Sequence, residues 1–303
     1  KACWLIALNG TDAGIFLQGM VTSDVLQLEI GQIQSSLICG NKGKILHHLE
    51  IFRSQEQEWI VICDPGEGRA VGTILDNFHV REDLEMRLLN SGEMLRIDLL
   101  GPDAGKNLEK LGCDLQKTNW KFEDFSILTV KFNLGKLPRF INLVHINVLE
   151  NFVAKILNKE NADLTGLEAF DEIRILEGIP RFGVDYSTGN FPQEAGLGDH
   201  ISFKKGCYIG QEPHARMYHR GHPNWLSVWL KLPEKSEASS GDALFHNAKE
   251  IGKITSLGSY LTNGNFLGIA MIRQELTEEK STLALAADSL PMIEQKALPT
   301  TIL

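Results

Sequence analysis

Several things this sequence lacks narrow its possible roles. Its five cysteines, Cys3, Cys39, Cys63, Cys113 and Cys207, include no C-x-x-C pair, and no secretory hydrophobic region is expected ahead of them. An odd, scattered set of this kind points to a reduced, cytoplasmic setting. No apolar run approaches the roughly 18 residues of a membrane span, so no membrane partner is expected. A P-loop, a G-x-G-x-x-G turn and a G-x-S-x-G elbow are all missing, which removes those kinds of nucleotide binding and acyl transfer. A basic surplus is missing too: 30 Lys+Arg stand against 39 Asp+Glu, a net charge of -9. Extensive direct nucleic-acid binding is therefore not expected, although a local basic patch is compatible with the balance.

What remains is a chain of 303 residues, 43% hydrophobic and 23% charged. It is long enough to bury a sizeable core and lies where single cores divide, so two or three domains are expected. WLIALNG (4–10) reads as a strand. The helix after it places Ala13, Phe16, Leu17 and Met20 at i, i+3, i+4, i+7 spacing, with Thr11 or Asp12 as its cap. QIQSSLIC and ILHHLEIFR flank the turn NKGK as a hairpin, and EWIVICD follows as a third strand. A helix carrying Val71, Ile74, Leu75 and Phe78 completes this first cycle.

A second cycle has the same outline. It has a helix with Ala104, Leu108 and Leu111, strands around FSILTVKF and RFINLVHI, and a helix with Leu149, Phe152, Val153 and Ile156. Thr165-Gly166-Leu167-Glu168 has the capping-box pattern, and Gly178 and Pro180 stop the helix it opens. From Trp225 onward short strands alternate with Pro, Gly, Ser and Asn, as in a small antiparallel β-barrel. The expected order is α+β. Residues 1–222 form one region of two subdomains, split near 95–165, and residues 223–303 form the β-barrel.

The densest chemistry lies in KKGCYIGQEPHARMYHRG, Lys204 to Gly221. Gly206 and Gly210 permit tight turns about Cys207, and Gln211-Glu212-Pro213 suits the first turn of a helix. A cysteine just ahead of a helix N-terminus, beside Lys204 and Lys205, is the strongest candidate nucleophile in the chain if it is exposed. The alternative, Cys207 as a buried small hydrophobe in a structural turn, stands beside it. Cys207, His214, His219 and His222 match no zinc spacing, so no metal site is expected and a solvated histidine face is the better account. His47 and His48 are adjacent on a strand and must point to opposite faces, so both cannot line one pocket.

KGCYIGQE, within Phe191 to Glu212, resembles the signature of the YgfZ-type folate-binding proteins, a branch of the glycine-cleavage T-protein (aminomethyltransferase) superfamily. GTDAGIFLQGMVTSDV, NKGKILHHLEIFR and IGKITSLGSY are similar to further family segments, so the resemblance spans nearly the whole chain. It implies a ring of antiparallel, ferredoxin-like α+β units around a folate channel, followed by the barrel. It also implies tetrahydrofolate or a derivative as cofactor, with Trp4, Phe170 and Glu177 as folate-binding residues. Phe170 stands where the family carries tryptophan, which keeps an aromatic face and removes an N–H donor.

One departure bears on activity. Aminomethyltransferases carry an aspartate pair where this chain has His47-His48, and an imidazole offers a developing iminium a different field from a carboxylate. Glycine cleavage is therefore not expected. The resemblance implies instead a folate-binding accessory protein that supports iron–sulfur enzyme assembly and tRNA methylthiolation, with iron–sulfur clients as transient partners. In that role Cys207 supplies the reactive thiol, Lys205 tunes it, and Glu212 or Arg216 holds the local geometry. The alternative is a folate-dependent aminomethyltransferase-like transferase or demethylase that uses a base other than aspartate.

Overall fold

The computed structural model describes residues 4–89, 93–158, 162–276, 283–286 and 293–298, which form three antiparallel sheets. The first unit comprises β1 (Trp4–Asn9), α1 (Ala13–Met20), β2 (Ile33–Cys39), β3 (Ile45–Gln55), β4 (Glu58–Cys63), α2 (Gly68–Phe78) and β5 (Glu85–Leu89). Its strands lie in the order β2-β3-β4-β1-β5. The second unit comprises β6 (Met94–Leu100), α3 (Ala104–Lys110), β7 (Asn119–Phe122), β8 (Phe125–Lys131), β9 (Arg139–His145) and α4 (Ile146–Asn158), with the order β6-β9-β8-β7.

Period-two alternation sends each strand's residues to two different cores. On one face of the first sheet, Leu49, Ile51, Trp59 and Val61 pack under Phe16 and Leu17 of α1 and Val71 and Leu75 of α2. On its other face Leu5, Phe52, Ile60 and Ile62 meet Leu128, Val130, Ile141 and Leu143 of the second sheet. The far side of that second sheet is covered by Leu108 of α3 and by Val148, Phe152 and Ile156 of α4. The layers thus run helix, sheet, sheet, helix. All four expected core residues of α1 are buried, because their spacing keeps them on one stripe facing the sheet.

Then come α5 (Leu167–Leu176) and α6 (Gln211–Arg220). The last unit consists of β10 (Trp225–Pro233), β11 (Ala243–His246), β12 (Lys249–Leu257), β13 (Asn265–Arg273) and β14 (Glu294–Ala297). These strands form a curled, half-barrel sheet in the order β11-β12-β13-β10-β14. The antiparallel α+β character agrees with the sequence reading, while a closed ring of units around a channel is not established. Helix α5 is fastened to this last sheet: Trp229 Nε1 donates to the Ile175 carbonyl at 2.9 Å, and Arg174 reaches Ser256 Oγ at 2.8 Å.

Two local expectations need correction. The capping box at Thr165 does not form, because the N-cap is Gly166 and makes no side-chain bond, while Thr165 Oγ1 turns back to the Asp163 carbonyl. Asp12 does occupy the N-cap of α1, but its carboxylate accepts the Asp83 N–H at 2.8 Å instead of capping the helix. Both side chains found partners outside the helix, a competition that local sequence cannot display.

Phe52 is fully buried between the two sheets. Phe52→Ala should cost about 3–5 kcal/mol in urea denaturation, the range for emptying a large aromatic site in a packed core. A loss under about 1 kcal/mol would mean that the two sheets do not share this core.

Candidate functional site

Alternation along β3 places His48, Glu50 and Phe52 on the face turned toward the second sheet. Phe52 enters the apolar core, Glu50 meets the second sheet's arginines, and His48 lines a pocket that opens beyond them. His47 points the other way, its Nδ1 2.7 Å from Glu67 Oε2. The two histidines are therefore separated as strand geometry requires.

Arg96 of β6 reaches Glu50 Oε2 at 2.6 Å and holds Asp98 through Nε and Nη2 at 2.7 and 2.8 Å. Arg139 of β9 donates to Glu50 Oε1 at 2.8 Å and, through Nε, to the Phe132 carbonyl at 3.0 Å. Burial alone would raise the Glu50 carboxyl, but the guanidinium groups of Arg96 and Arg139 outweigh it and hold the group at about 2. A carboxylate from one sheet and two arginines from the other thus form the polar end of an otherwise apolar interface.

The pocket has a volume of about 510 Å³, within the range of small-molecule sites. Its aromatic wall is Phe132, Phe170 and Phe182, and its polar lining includes His48, Asp64 and His200. Burial lowers the His48 pKa, against a raising influence from Asp64 and Glu50, and burial raises that of Asp64. Burial also pushes His200 down to about 3, with the His48 charge adding to the effect. His48 Nε2 and His200 Nδ1 are buried and have no hydrogen-bond partner among the described residues. Such orphaned atoms beside aromatic walls suit a flat, polar heterocycle such as a pterin.

The expected site residues separate. Phe170, half-buried on α5, lines the pocket. Glu177 is outside the lining: as the C-cap of α5 it accepts the Lys136 N–H at 2.8 Å, beneath the Asn133–Gly135 stretch that does line it. Gly135 is left-handed at φ 58°, and a Cβ there would meet Glu177 Oε2 at 2.3 Å, so this turn is shaped around the carboxylate. Trp4 pairs with Cys63 in β1, and its side chain lies outside the described residues, as does all of Cys3.

Cys207 is exposed and free, four residues ahead of the first residue of α6, and is not part of the pocket lining. The Lys205 ammonium is held by the carbonyls of Val21 and Ser23 at 2.6 and 2.7 Å, and burial lowers its pKa to about 8. Glu212 and Arg216 are both exposed. The solvated histidine face is corrected at His214, which is fully buried, with Nε2 2.7 Å from the Gly43 carbonyl and Nδ1 3.1 Å from Tyr208 Oη. It ties the hairpin turn to the Cys207 segment. The sequence reading missed Glu50, Asp64, Arg96, Arg139 and His200. For the first four a signal existed, charged residues set in or ending apolar strands, where only pairing or function tolerates them. His200, in a loop, gave none.

The GCVT N-terminal domain family model matches residues 4–134. Among curated relatives, an aminomethyltransferase of Desulfitobacterium hafniense (strain Y51) is 27% identical over 292 residues, covering 92% of this chain and 78% of that protein. One from Listeria monocytogenes serotype 4b (strain F2365) is 26% identical over 283 residues, covering 90% and 77%. These matches support the glycine-cleavage T-protein superfamily. The fold agrees: the glycine cleavage system aminomethyltransferase T of Bartonella henselae superposes with a TM-score of 0.85 at 20% identity, covering 99% of this chain and 84% of that one.

Two acid-sensitive windows follow from the site. The unfolded chain takes up histidine protons near pH 6.5 that His48 and His200 resist, so stability should fall as pH drops from about 6.5 toward 3. The Glu50 contribution is complete above about pH 4.5 and should be lost as pH falls toward 2. At neutral pH, Glu50→Gln should cost about 3–5 kcal/mol, because buried Arg139 loses its 2.8 Å carboxylate partner and keeps only Asp98 at 3.8 Å. Urea denaturation at stepped pH measures all three. A Glu50→Gln loss under about 1 kcal/mol would remove the network from its structural role.

Proposed function

We propose that this protein binds a reduced folate in the pocket between its first two sheets and carries out a folate-dependent one-carbon transfer there. The observation that carries the proposal is His48 Nε2: buried, unpartnered among the described residues, and lining the pocket with Asp64. The aminomethyltransferase relatives favour this reading over a purely accessory role. A bound reduced folate supplies a nucleophilic ring nitrogen to carry the one-carbon unit. Phe132, Phe170 and Phe182 provide apolar walls for its ring and keep water away from it.

His48 does the proton work in place of an aspartate. Kept neutral by burial, it can take up a proton at Nε2, and the field of Asp64 stabilises the imidazolium that results. A carboxylate near an imidazole base has this effect without becoming the base itself. Glu50 remains anionic and engaged with two arginines, so it serves as a fixed charge.

Incubation with tetrahydrofolate and an aminomethyl donor, without oxygen, should give methylene-tetrahydrofolate, ammonia and the donor's freed carrier group. His48→Ala should lower kcat by about 10²–10⁴-fold, the usual span for a lost general base, and weaken tetrahydrofolate binding by about tenfold at most. In the wild type kcat/KM should fall on acidification with a midpoint below about 6.5, as His48 takes up its proton. Turnover that survives His48→Ala unchanged would refute the role of His48. Absence of tetrahydrofolate binding in calorimetry at millimolar ligand would refute the folate reading.

A second reading is favoured by the placement of Cys207, exposed and outside the pocket. In it the thiol acts on a macromolecular client, in the accessory role toward iron–sulfur enzymes and tRNA methylthiolation that the YgfZ resemblance implies. Complementation separates the two. Loss of function with Cys207→Ala but not with His48→Ala would favour the accessory role, and the opposite pattern would favour transfer.

A further inference from the structure

His200 is 6% exposed, yet it borders the pocket. Its backbone is fixed at two points. The N–H donates to the Leu197 carbonyl at 3.1 Å, and the carbonyl accepts Thr22 Oγ1 at 2.7 Å. The ring faces His48, with centroids 5.7 Å apart and planes at 59°. Nδ1 has no partner among the described residues. Native proteins rarely leave a buried polar atom unmatched, and an exception at a pocket wall points to a group that arrives from outside.

The charges around the pocket restrict what that group can be. Both imidazoles are neutral at physiological pH, so each offers one donor and one acceptor. The arginines of the described lining are all engaged by carboxylates: Arg96 by Glu50 and Asp98, Arg139 by Glu50, Arg174 by Asp171 and Asp185, and Arg181 by Asp171. Asp64 adds a further acidic group. A phosphate would meet cations already neutralised and carboxylates that repel it. An uncharged ring with donors and acceptors on its edge would meet two unmatched nitrogens and an aromatic wall.

We propose that His200 is a specificity-determining residue whose Nδ1, together with His48 Nε2, hydrogen-bonds the polar edge of an uncharged, flat heterocycle and so selects such ligands over phosphorylated ones. The pterin as that heterocycle rests on the folate reading; the role of His200 in this pocket does not. Because the unmatched nitrogen serves a ligand, removing it should leave the free protein as stable or more stable while weakening binding. A purely structural histidine would give the opposite stability change.

The test is calorimetry and thermal melting of the full chain as wild type, His200→Leu and His200→Asn. The probes are 5-formyltetrahydrofolate, the uncharged bicyclic heterocycles pterin and guanine, and ATP. Expected results are wild-type binding of 5-formyltetrahydrofolate and pterin, no displacement of either by ATP, and about tenfold weaker binding by His200→Leu at an undiminished melting temperature. His200→Asn, whose amide stands close to the Nδ1 position, should restore affinity to within about threefold. If the wild type binds guanine but neither pterin nor 5-formyltetrahydrofolate, the folate reading fails while a tenfold loss in His200→Leu would still uphold this proposal. Equal affinity of wild type and His200→Leu, competition by ATP, or no binding of any heterocycle would overturn it.

Discussion

Glu50 is a carboxylate held between two sheets by arginines that belong only to the second. Around it the interface is apolar, built from residues such as Phe52, Ile62, Ile141 and Leu143. A buried anion there would be expelled or protonated without Arg96 and Arg139, whereas those guanidinium groups would still have Asp98 without it. The ion pairs therefore fix how the two sheets end against one another. Apolar burial supplies the adhesion, and the polar cluster decides the register of the opening beyond it. The pocket exists because the interface stops being apolar at Glu50.

That arrangement explains how one strand serves both stability and chemistry. From Phe52 through Glu50 to His48, the same face of β3 passes from core to ion pair to pocket wall. Among the pocket-lining side chains, His48, Asp64 and His200 have pKa values shifted chiefly by burial. Burial causes each shift, and perturbed groups gathered in one cleft mark a site for chemistry or recognition. The exposed thiol of Cys207 stands apart from this cluster, although His214 links its segment to the hairpin turn that precedes His48. The two features therefore sit in different surroundings, one enclosed in the pocket and the other at the surface.

Much of the local structure was legible in the sequence because it depends on periodicity. The buried stripe of α1, the hairpin around Gly43 and the opposite orientations of His47 and His48 all follow from spacing within a single element. Phe170, named as a folate-binding residue through resemblance to a known family, lies in the pocket lining. The site itself was less legible because residues 50, 96 and 139 meet only when two separately folded sheets pack together. Nothing near Glu50 in the chain announces that its partners lie 46 and 89 residues away. His214 misled for a related reason: a polar-looking helix turned one histidine inward to partners in another segment. Glu177 was named as a folate-binding residue through the family resemblance, whereas the structure sets it outside the pocket lining, against the turn at Gly135.

The central claim is that a reduced folate enters the pocket that Glu50 and its arginines define. Hydrogen–deuterium exchange of the full chain with and without saturating tetrahydrofolate, under anaerobic conditions, tests it directly. The account predicts added protection confined to the pocket segments, around residues 48–50, 62–65, 132–135, 165–170 and 197–200. Protection confined to residues 204–222, or no change anywhere at saturating ligand, would contradict it.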